Sequence, residues 1–349
     1  MRSKKQNRNK KSPDSDGGRR TYYSMNPKKK NRNNFTHKNK FRRTNKKTHK
    51  LRANYFNKQK DQRNKLNVSC GPGASRKNKK FTCLSDNHLL QLRDLWNKRH
   101  PDVKLYTSNP KKIWTLLNSH LASTCGRETC WLKQKFVEGK LDHLFKTVYA
   151  PVAPKTWHKN KNEWLTSTNI LDVMKQYEDP NLYPCFEFMG PSPIDYDKQI
   201  SHGECVWPEL CNFSLEEQIK RGKTKIGIIF NTDPHDKDGE HWISMFINIK
   251  KKYIYFYDSV GTGMPENTKN FIDMVVEQGK NLKPPIHFEV GENRGIEHQK
   301  GNTECGMYSI NFIINMLKDT LSPDDLREKR ITDEEMTSSR EVYFNKSLD

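Results

Sequence analysis

Four residues in the last third of the chain, His241, Asp258, Gln299 and Cys305, have the types and order needed to attack an acyl carbon. Cys305 opens the apolar run CGMYSINFIINML, in which Tyr308, Phe312, Ile313 and Met316 recur at helical spacing. Asn302 and Thr303 just before it are good N-cap residues. The spacing therefore predicts a thiol in the first turn of a buried helix, where the partial positive charge of the N-terminus favours the thiolate. The plain alternative for one cysteine is an ordinary core position, since free Cys is among the most buried residue types. The other three residues decide between these readings.

A hairpin is expected to position the base. Lys225–Phe230 (KIGIIF) reads as a short apolar strand, followed by the polar turn NTDPHDKDGE and then HWISMFINIKKKYIYFYDSVG. Ile243, Met245 and Ile247 alternate along one strand, and Ile254 and Phe256 along the next. A turn around Ile249-Lys250 sets Ile243 opposite Phe256, Met245 opposite Ile254 and His241 opposite Asp258. Cross-strand neighbours have Cβ atoms about 4.5–5.5 Å apart, close enough for a carboxylate to orient an imidazole. A one-residue slip would turn the apolar set outward, so burial enforces the pairing.

The chemistry that follows is nucleophilic. His241 deprotonates Cys305, Asp258 holds the imidazole tautomer and steadies the cation, and the thiolate attacks a carbonyl carbon. Gln299 and the backbone N–H of Cys305 are placed to hold the oxyanion, donors typically worth about 2.7–4 kcal/mol each. Trp242 would wall the cleft against water, or serve as a core aromatic, and Gly306 would let the backbone pass close to substrate. His298 is a competing base without a partner carboxylate. The stretch DPHDKDGE lacks the spacing of a calcium loop, and Cys125 and Cys130 in CGRETCW lack the paired ligand sets of a zinc site. No metal and no cofactor are expected.

Charge divides the chain. Residues 1–80 hold 28 Lys/Arg against 3 Asp/Glu, and the other 269 hold 35 against 38, so the net charge of +22 belongs to the N-terminal segment. With few aliphatic side chains, residues 1–80 read as a disordered basic tail. Tyr22, Tyr23, Phe35, Phe41, Tyr55 and Phe56 interleave its charges, a composition suited to non-specific nucleic-acid contact or simply to solvation. Residues 81–150 read as a helical accessory domain. One helix is capped at Ser85 or Asp86 and carries Leu89, Leu92, Leu95 and Trp96. A second starts at Asn109-Pro110 and carries Ile113, Trp114, Leu117 and Leu121. After a linker from Pro151 to Lys161, residues 151–349 form the domain bearing the candidate site. A helix after Thr168 ends at Asp179-Pro180, and 181–222 are expected to be irregular. No apolar stretch suffices for a membrane span, and nothing resembles a secretory signal. The eight cysteines are therefore expected to be reduced, in a protein that is not secreted.

These motifs resemble a known family. HW, the Asp of FYDS seventeen residues after the His, and Q-x5-C-G are similar to the SUMO-specific ubiquitin-like protease and adenovirus protease superfamily of cysteine peptidases. NTDPHDKDGEHWISMFINIK, NTECGMYSINFI, RITDEEM (Arg330–Met336) and EWLTSTNI (Glu163–Ile170) resemble its viral branch, the African swine fever virus polyprotein protease and the thiol proteases of giant DNA viruses. The resemblance covers about residues 163–340. It implies a papain-like α+β fold, a central mixed sheet carrying His241 and Asp258 packed on the helix that bears Cys305, with Gln299 as oxyanion donor. It also implies cleavage after small residues, of the Gly-Gly-Xaa type, in viral precursor proteins, within the virion and the host-cell cytoplasm. A ubiquitin or SUMO isopeptidase is the alternative, and a nucleic-acid-packaging protein with a relic domain a further one. Two positions depart from the pattern: Asp258 stands where the swine fever enzyme has Asn, and Glu304 where SUMO proteases usually have Asp.

Overall fold

The computed structural model describes residues 68–74 and 81–346. Most of the basic segment, on which disorder and nucleic-acid contact are expected, lies outside the described residues.

The helical region begins as its capping signals predict. Helix α1 (Asp86–Arg99) is capped by Ser85, whose side chain accepts from the His88 N–H, and α2 (Pro110–Leu121) by Asn109, with Pro110 in the first turn. Their buried faces carry Leu89, Leu92, Trp96, Ile113, Leu117 and Leu121. These enclose a core with Trp131 and Tyr149. Beneath them the buried Glu128 carboxylate accepts from Thr82 Oγ1 (2.7 Å), the Cys83 N–H (2.8 Å) and Trp114 Nε1 (2.9 Å). Burial pushes its pKa up, against the lowering effect of those bonds.

Residues 68–74, placed in the tail by composition, pack into the fold. The Ser69 N–H donates to Asn345 Oδ1 (2.5 Å), and Asn345 Nδ2 donates to the carbonyls of Ser69 (3.0 Å) and Ala150 (2.7 Å). Gln176 Nε2 donates to the Tyr149 carbonyl (2.7 Å), so the helical region and the sheet domain are stitched together at several points. The expectation of reduced thiols is corrected as well. Cys70–Cys83, Cys125–Cys130 and Cys205–Cys211 are disulfide-bonded, and Cys185 and Cys305 remain outside disulfides. Tertiary proximity made these pairs, which spacing alone did not reveal.

The second region is built on a five-stranded sheet in the order β1 (Phe186–Pro193), β2 (Lys225–Asn231), β3 (Trp242–Asn248), β4 (Tyr253–Tyr257), β5 (Glu289–Glu292). The outer pairs are parallel and the two inner pairs antiparallel. β1 lies in the stretch expected to be irregular. Its Gly190, Pro191 and Pro193 mask the strand pattern, and the backbone of Gly190 (φ +120°) runs so close to β2 that a Cβ there would meet the Ile229 carbonyl at 2.7 Å.

Every residue of β3 is buried, because both sheet faces are covered. Ile243, Met245 and Ile247, with Ile254 and Phe256, face Phe271, Ile272 and Val275 of helix α4 (Glu266–Asn281), preceded in sequence by α3 (Ser167–Met174). Trp242, Phe246, Tyr255 and Tyr257 face helix α5 (Cys305–Leu317). All thirteen residues of α5 are buried, with α3 and α6 (Asp333–Tyr343) against its remaining sides. Helix α3 is capped by Thr166 rather than beginning after Thr168. Among the described residues no helix is long and apolar enough to cross a membrane.

Candidate functional site

The β3–β4 pairing differs from the expected register. Met245 pairs with Phe256 and Ile247 with Ile254, because the turn takes in Ile249 to Lys252 rather than centring on Ile249-Lys250. The shift is two residues, so facing is preserved but direct partners are not. His241 and Asp258 therefore do not sit opposite each other in the ladder. Both lie just past the strand ends. The His241 carbonyl accepts from the Thr232 N–H (2.9 Å), which anchors His241 to the end of β2.

From there His241 Nε2–H donates to Asp258 Oδ1 at 2.7 Å. The Cys305 side chain is near enough to the same ring to help raise its pKa. The structure thus brings Cys305, His241 and Asp258 together, with His241 bonded to Asp258 and interacting with Cys305. Burial pulls the His241 pKa down, but the bonds to Asp258 and Cys305 and their negative charge overcome it and raise it to about 9. For Asp258, burial pushes upward, yet the bond and charge of His241 and the N–H groups of Val260 (3.0 Å to Oδ1) and Thr262 (2.9 Å to Oδ2) hold the carboxyl below its ordinary range. The pair is tuned as carboxylate and imidazolium.

Sequence reasoning missed the residues that hold Asp258 in place. Asn293 Oδ1 accepts from the Asp258 N–H (3.0 Å), while its Nδ2 donates to the Asp258 carbonyl (2.6 Å) and to that of Ile296 (3.1 Å). Nothing in the sequence marks it. Ser259 did carry a signal, as the last residue of FYDS. Its carbonyl accepts from the N–H groups of His298 and Gln299 (2.8 Å each), and its Oγ donates to Gln299 Oε1 (2.7 Å). The Gln299 amide is thereby oriented, with Nε2 donating one hydrogen to the Gly301 carbonyl (2.8 Å) and one hydrogen left for another acceptor.

Helix α5 starts differently from expectation. Its N-cap is Glu304, not Asn302 or Thr303, and no side chain caps the first turn. Glu304 instead turns to Arg340 of α6, at 2.9 Å, with both side chains 4% exposed. Burial raises the Glu304 pKa, opposed by the Arg340 charge. The first-turn N–H groups of α5, that of Cys305 included, are consequently left without side-chain acceptors.

Gly306 and Trp242, expected at the substrate, are engaged with the protein itself. A Cβ on Gly306 would sit 2.9 Å from Leu165 Cβ, so the glycine lets α5 pack on Leu165. Trp242 Nε1 donates to the Leu165 carbonyl (2.9 Å), and its ring belongs to the buried core while one edge lines a surface cleft of about 580 Å³. His298 is not a base. Its Nε2–H donates to the Leu326 carbonyl (3.1 Å) and its Nδ1 accepts from the Ile331 N–H (3.0 Å), which occupies both ring nitrogens. A larger cleft, of about 830 Å³, lies between the helical region and α3 and includes none of the candidate residues. Among the described residues no group of three or more His, Cys, Asp or Glu is arranged to hold a metal.

A buried helix that starts at Cys305, packed on a mixed sheet with His241 and Asp258 just past the ends of two neighbouring strands, gives the chain a papain-like α+β fold. Residues 217–347 match the Ulp1 protease family, C-terminal catalytic domain. A thiol protease of Acanthamoeba polyphaga mimivirus is 30% identical over 297 residues, 79% of this chain and 92% of that protein. A cysteine protease of African swine fever virus is 24% identical over 247 residues, 67% of this chain and 88% of the relative. A crystal structure of the African swine fever virus protease shares the fold, with a TM-score of 0.56 at 20% identity over 80% of this chain and 98% of that one. The chain belongs to the Ulp1 protease family and is a cysteine-type peptidase. The 297 aligned residues exceed the region from 151 onward, so the likeness extends beyond the 163–340 read from sequence.

Proposed function

We propose that the chain is an endopeptidase that cleaves viral precursor proteins after a Gly-Gly pair, with Cys305 as nucleophile, His241 as base and then acid, Asp258 as orienter and Gln299 as oxyanion donor. What supports this reading is the 2.7 Å bond from His241 to Asp258 together with the interaction of the Cys305 side chain with the same ring. His241 takes the thiol proton as the sulfur adds to the scissile carbonyl. In this reading the oxyanion is met by the spare Gln299 N–H and the uncapped Cys305 N–H. His241 then protonates the departing amine, and water releases the acyl group from sulfur. The depth of the nucleophile supports the choice of glycine. Cys305 is 2% exposed, with Leu165 and Trp242 packed around it, so a backbone bearing no side chain is the shape that reaches the sulfur.

The test is cleavage of Gly-Gly-Xaa peptides by the purified chain beside Cys305→Ala; absence of Cys305-dependent cleavage refutes the reading. One observation favours a second reading, that of an isopeptidase: the matched family is that of Ulp1, and an African swine fever virus relative is named a SUMO-1 cysteine protease. Covalent capture by a SUMO or ubiquitin vinyl sulfone, with Gly-Gly peptides untouched, would select it. Action within the virion and the host-cell cytoplasm accords with the viral relatives and is part of the same proposal.

A further inference from the structure

The chain contains one Gly-Gly pair, Gly17-Gly18, in the basic segment within the sequence SDGGRRTYY. We propose that the Gly18–Arg19 bond is itself a substrate, cut by the Cys305 site of a second copy of the chain. The inference rests on the Gly-Gly reading and adds a substrate to it.

Three observations support it. Cys305 is 2% exposed, and Gly17-Gly18 is the one pair of adjacent residues in the sequence that lacks side chains, as the Gly-Gly reading requires. Gly18 lies fifty residues before Val68, where the described fold begins. That length of extended chain spans roughly 165 Å, ample to reach a neighbouring molecule. The cleft beside His241 carries Asp233, Asp238 and Glu240 against Lys237, while His235 is paired with Asp195 at 2.7 Å. A rim of that sign suits the residues that follow the cut, Arg19 and Arg20.

In the reaction the Cys305 sulfur bonds to the Gly18 carbonyl carbon, the C–N bond to Arg19 breaks, and the His241 proton passes to the Arg19 amine. Water then cleaves the thioester, leaving a Gly18 carboxylate and free Cys305. The products are residues 1–18 and a chain that begins at Arg19. The lost segment carries six Lys/Arg and two Asp/Glu, so the remaining chain is less basic.

The experiment incubates full-length Cys305→Ala chain, as substrate, with the wild-type chain and follows intact mass and N-terminal sequence. The expected result is complete loss of residues 1–18 from the Cys305→Ala chain, a new terminus Arg19-Arg20-Thr21, and no loss when that substrate also carries Gly18→Val. A synthetic peptide covering residues 14–22 is assayed in parallel. Cleavage of the peptide with the full chain left intact overturns the proposal and leaves the Gly-Gly reading standing. Cleavage of other Gly-Gly peptides but not this one also overturns it. If no Gly-Gly peptide is cut, the underlying reading fails with it. Truncation of the Cys305→Ala chain incubated alone would assign the cut to a contaminating protease.

Discussion

Replacing Asp258 by Asn tests the electrostatics of the site while conserving its shape. In the native arrangement both carboxylate oxygens accept, Oδ1 from His241 Nε2 and the Val260 N–H, Oδ2 from the Thr262 N–H. An amide has one acceptor and one donor, so it cannot serve both sides. With oxygen toward His241 its NH₂ meets the Thr262 N–H, and with the amide turned over its NH₂ meets His241 Nε2–H. The charge that stabilises the imidazolium is lost in either orientation, while burial continues to disfavour the cation. The rise from 6.5 to about 9 corresponds to about 3 kcal/mol, shared between Asp258 and Cys305. Losing the Asp258 part moves the His241 pKa down by roughly one unit or more.

The sign follows from the direction of that shift. On the proposed mechanism the ion pair needs His241 protonated, which holds below about 9 and is lost as pH rises through it. The alkaline limb of kcat/KM against pH therefore falls near 9 in the wild type and at lower pH in Asp258→Asn. Each unit of displacement means tenfold less imidazolium above the limb. The assay is the pH profile of Gly-Gly peptide hydrolysis for the two proteins at matched concentrations. An alkaline limb that stays near 9 in Asp258→Asn would show that the carboxylate does not set the charge of His241, and the account of the site would be wrong.

Two further changes probe the supporting groups. Gln299→Ala removes the proposed side-chain oxyanion donor and should lower kcat by roughly 10²–10³-fold with little change in KM; Ser259→Ala, which frees only one side of that amide, should cost less in the same kinetic assay. Arg340→Ala leaves Glu304 as an unpaired buried carboxylate at the head of α5 and should destabilise the fold by about 3–5 kcal/mol in urea denaturation. Adding Glu304→Gln to that variant should recover part of the loss.

What was legible in the sequence was local. Ser85, Asn109-Pro110, the run after Cys305 and KIGIIF each mark an element through a cap or a period, and each element is where those signals place it. What was hidden depends on partners distant in sequence. The strand at Phe186–Pro193 is broken up by glycine and proline that only its neighbour β2 explains. The disulfide at Cys70–Cys83 draws residues that look like tail into the helical core. Asn293 grips the Asp258 backbone from thirty-five residues away, and no periodicity announces a side chain whose work is to bond a distant peptide group.

His241 and Asp258 meet although they are not cross-strand partners in the hairpin. Alternation along 243, 245 and 247 correctly identifies one face, but that face packs on α4, whereas α5 covers the other. Had His241 and Asp258 belonged to the strands, their positions would have directed them to the α4 side, away from Cys305. They stand one residue beyond the strand ends, where pleating no longer dictates direction. There the anchors from Thr232 and Asn293 let the backbone turn toward the sulfur. The hydrophobic pattern therefore sets where the strands stop, and the polar groups just beyond them set where the site points. The geometry of such a site is held by hydrogen bonds to the loop backbones and not by cross-strand opposition.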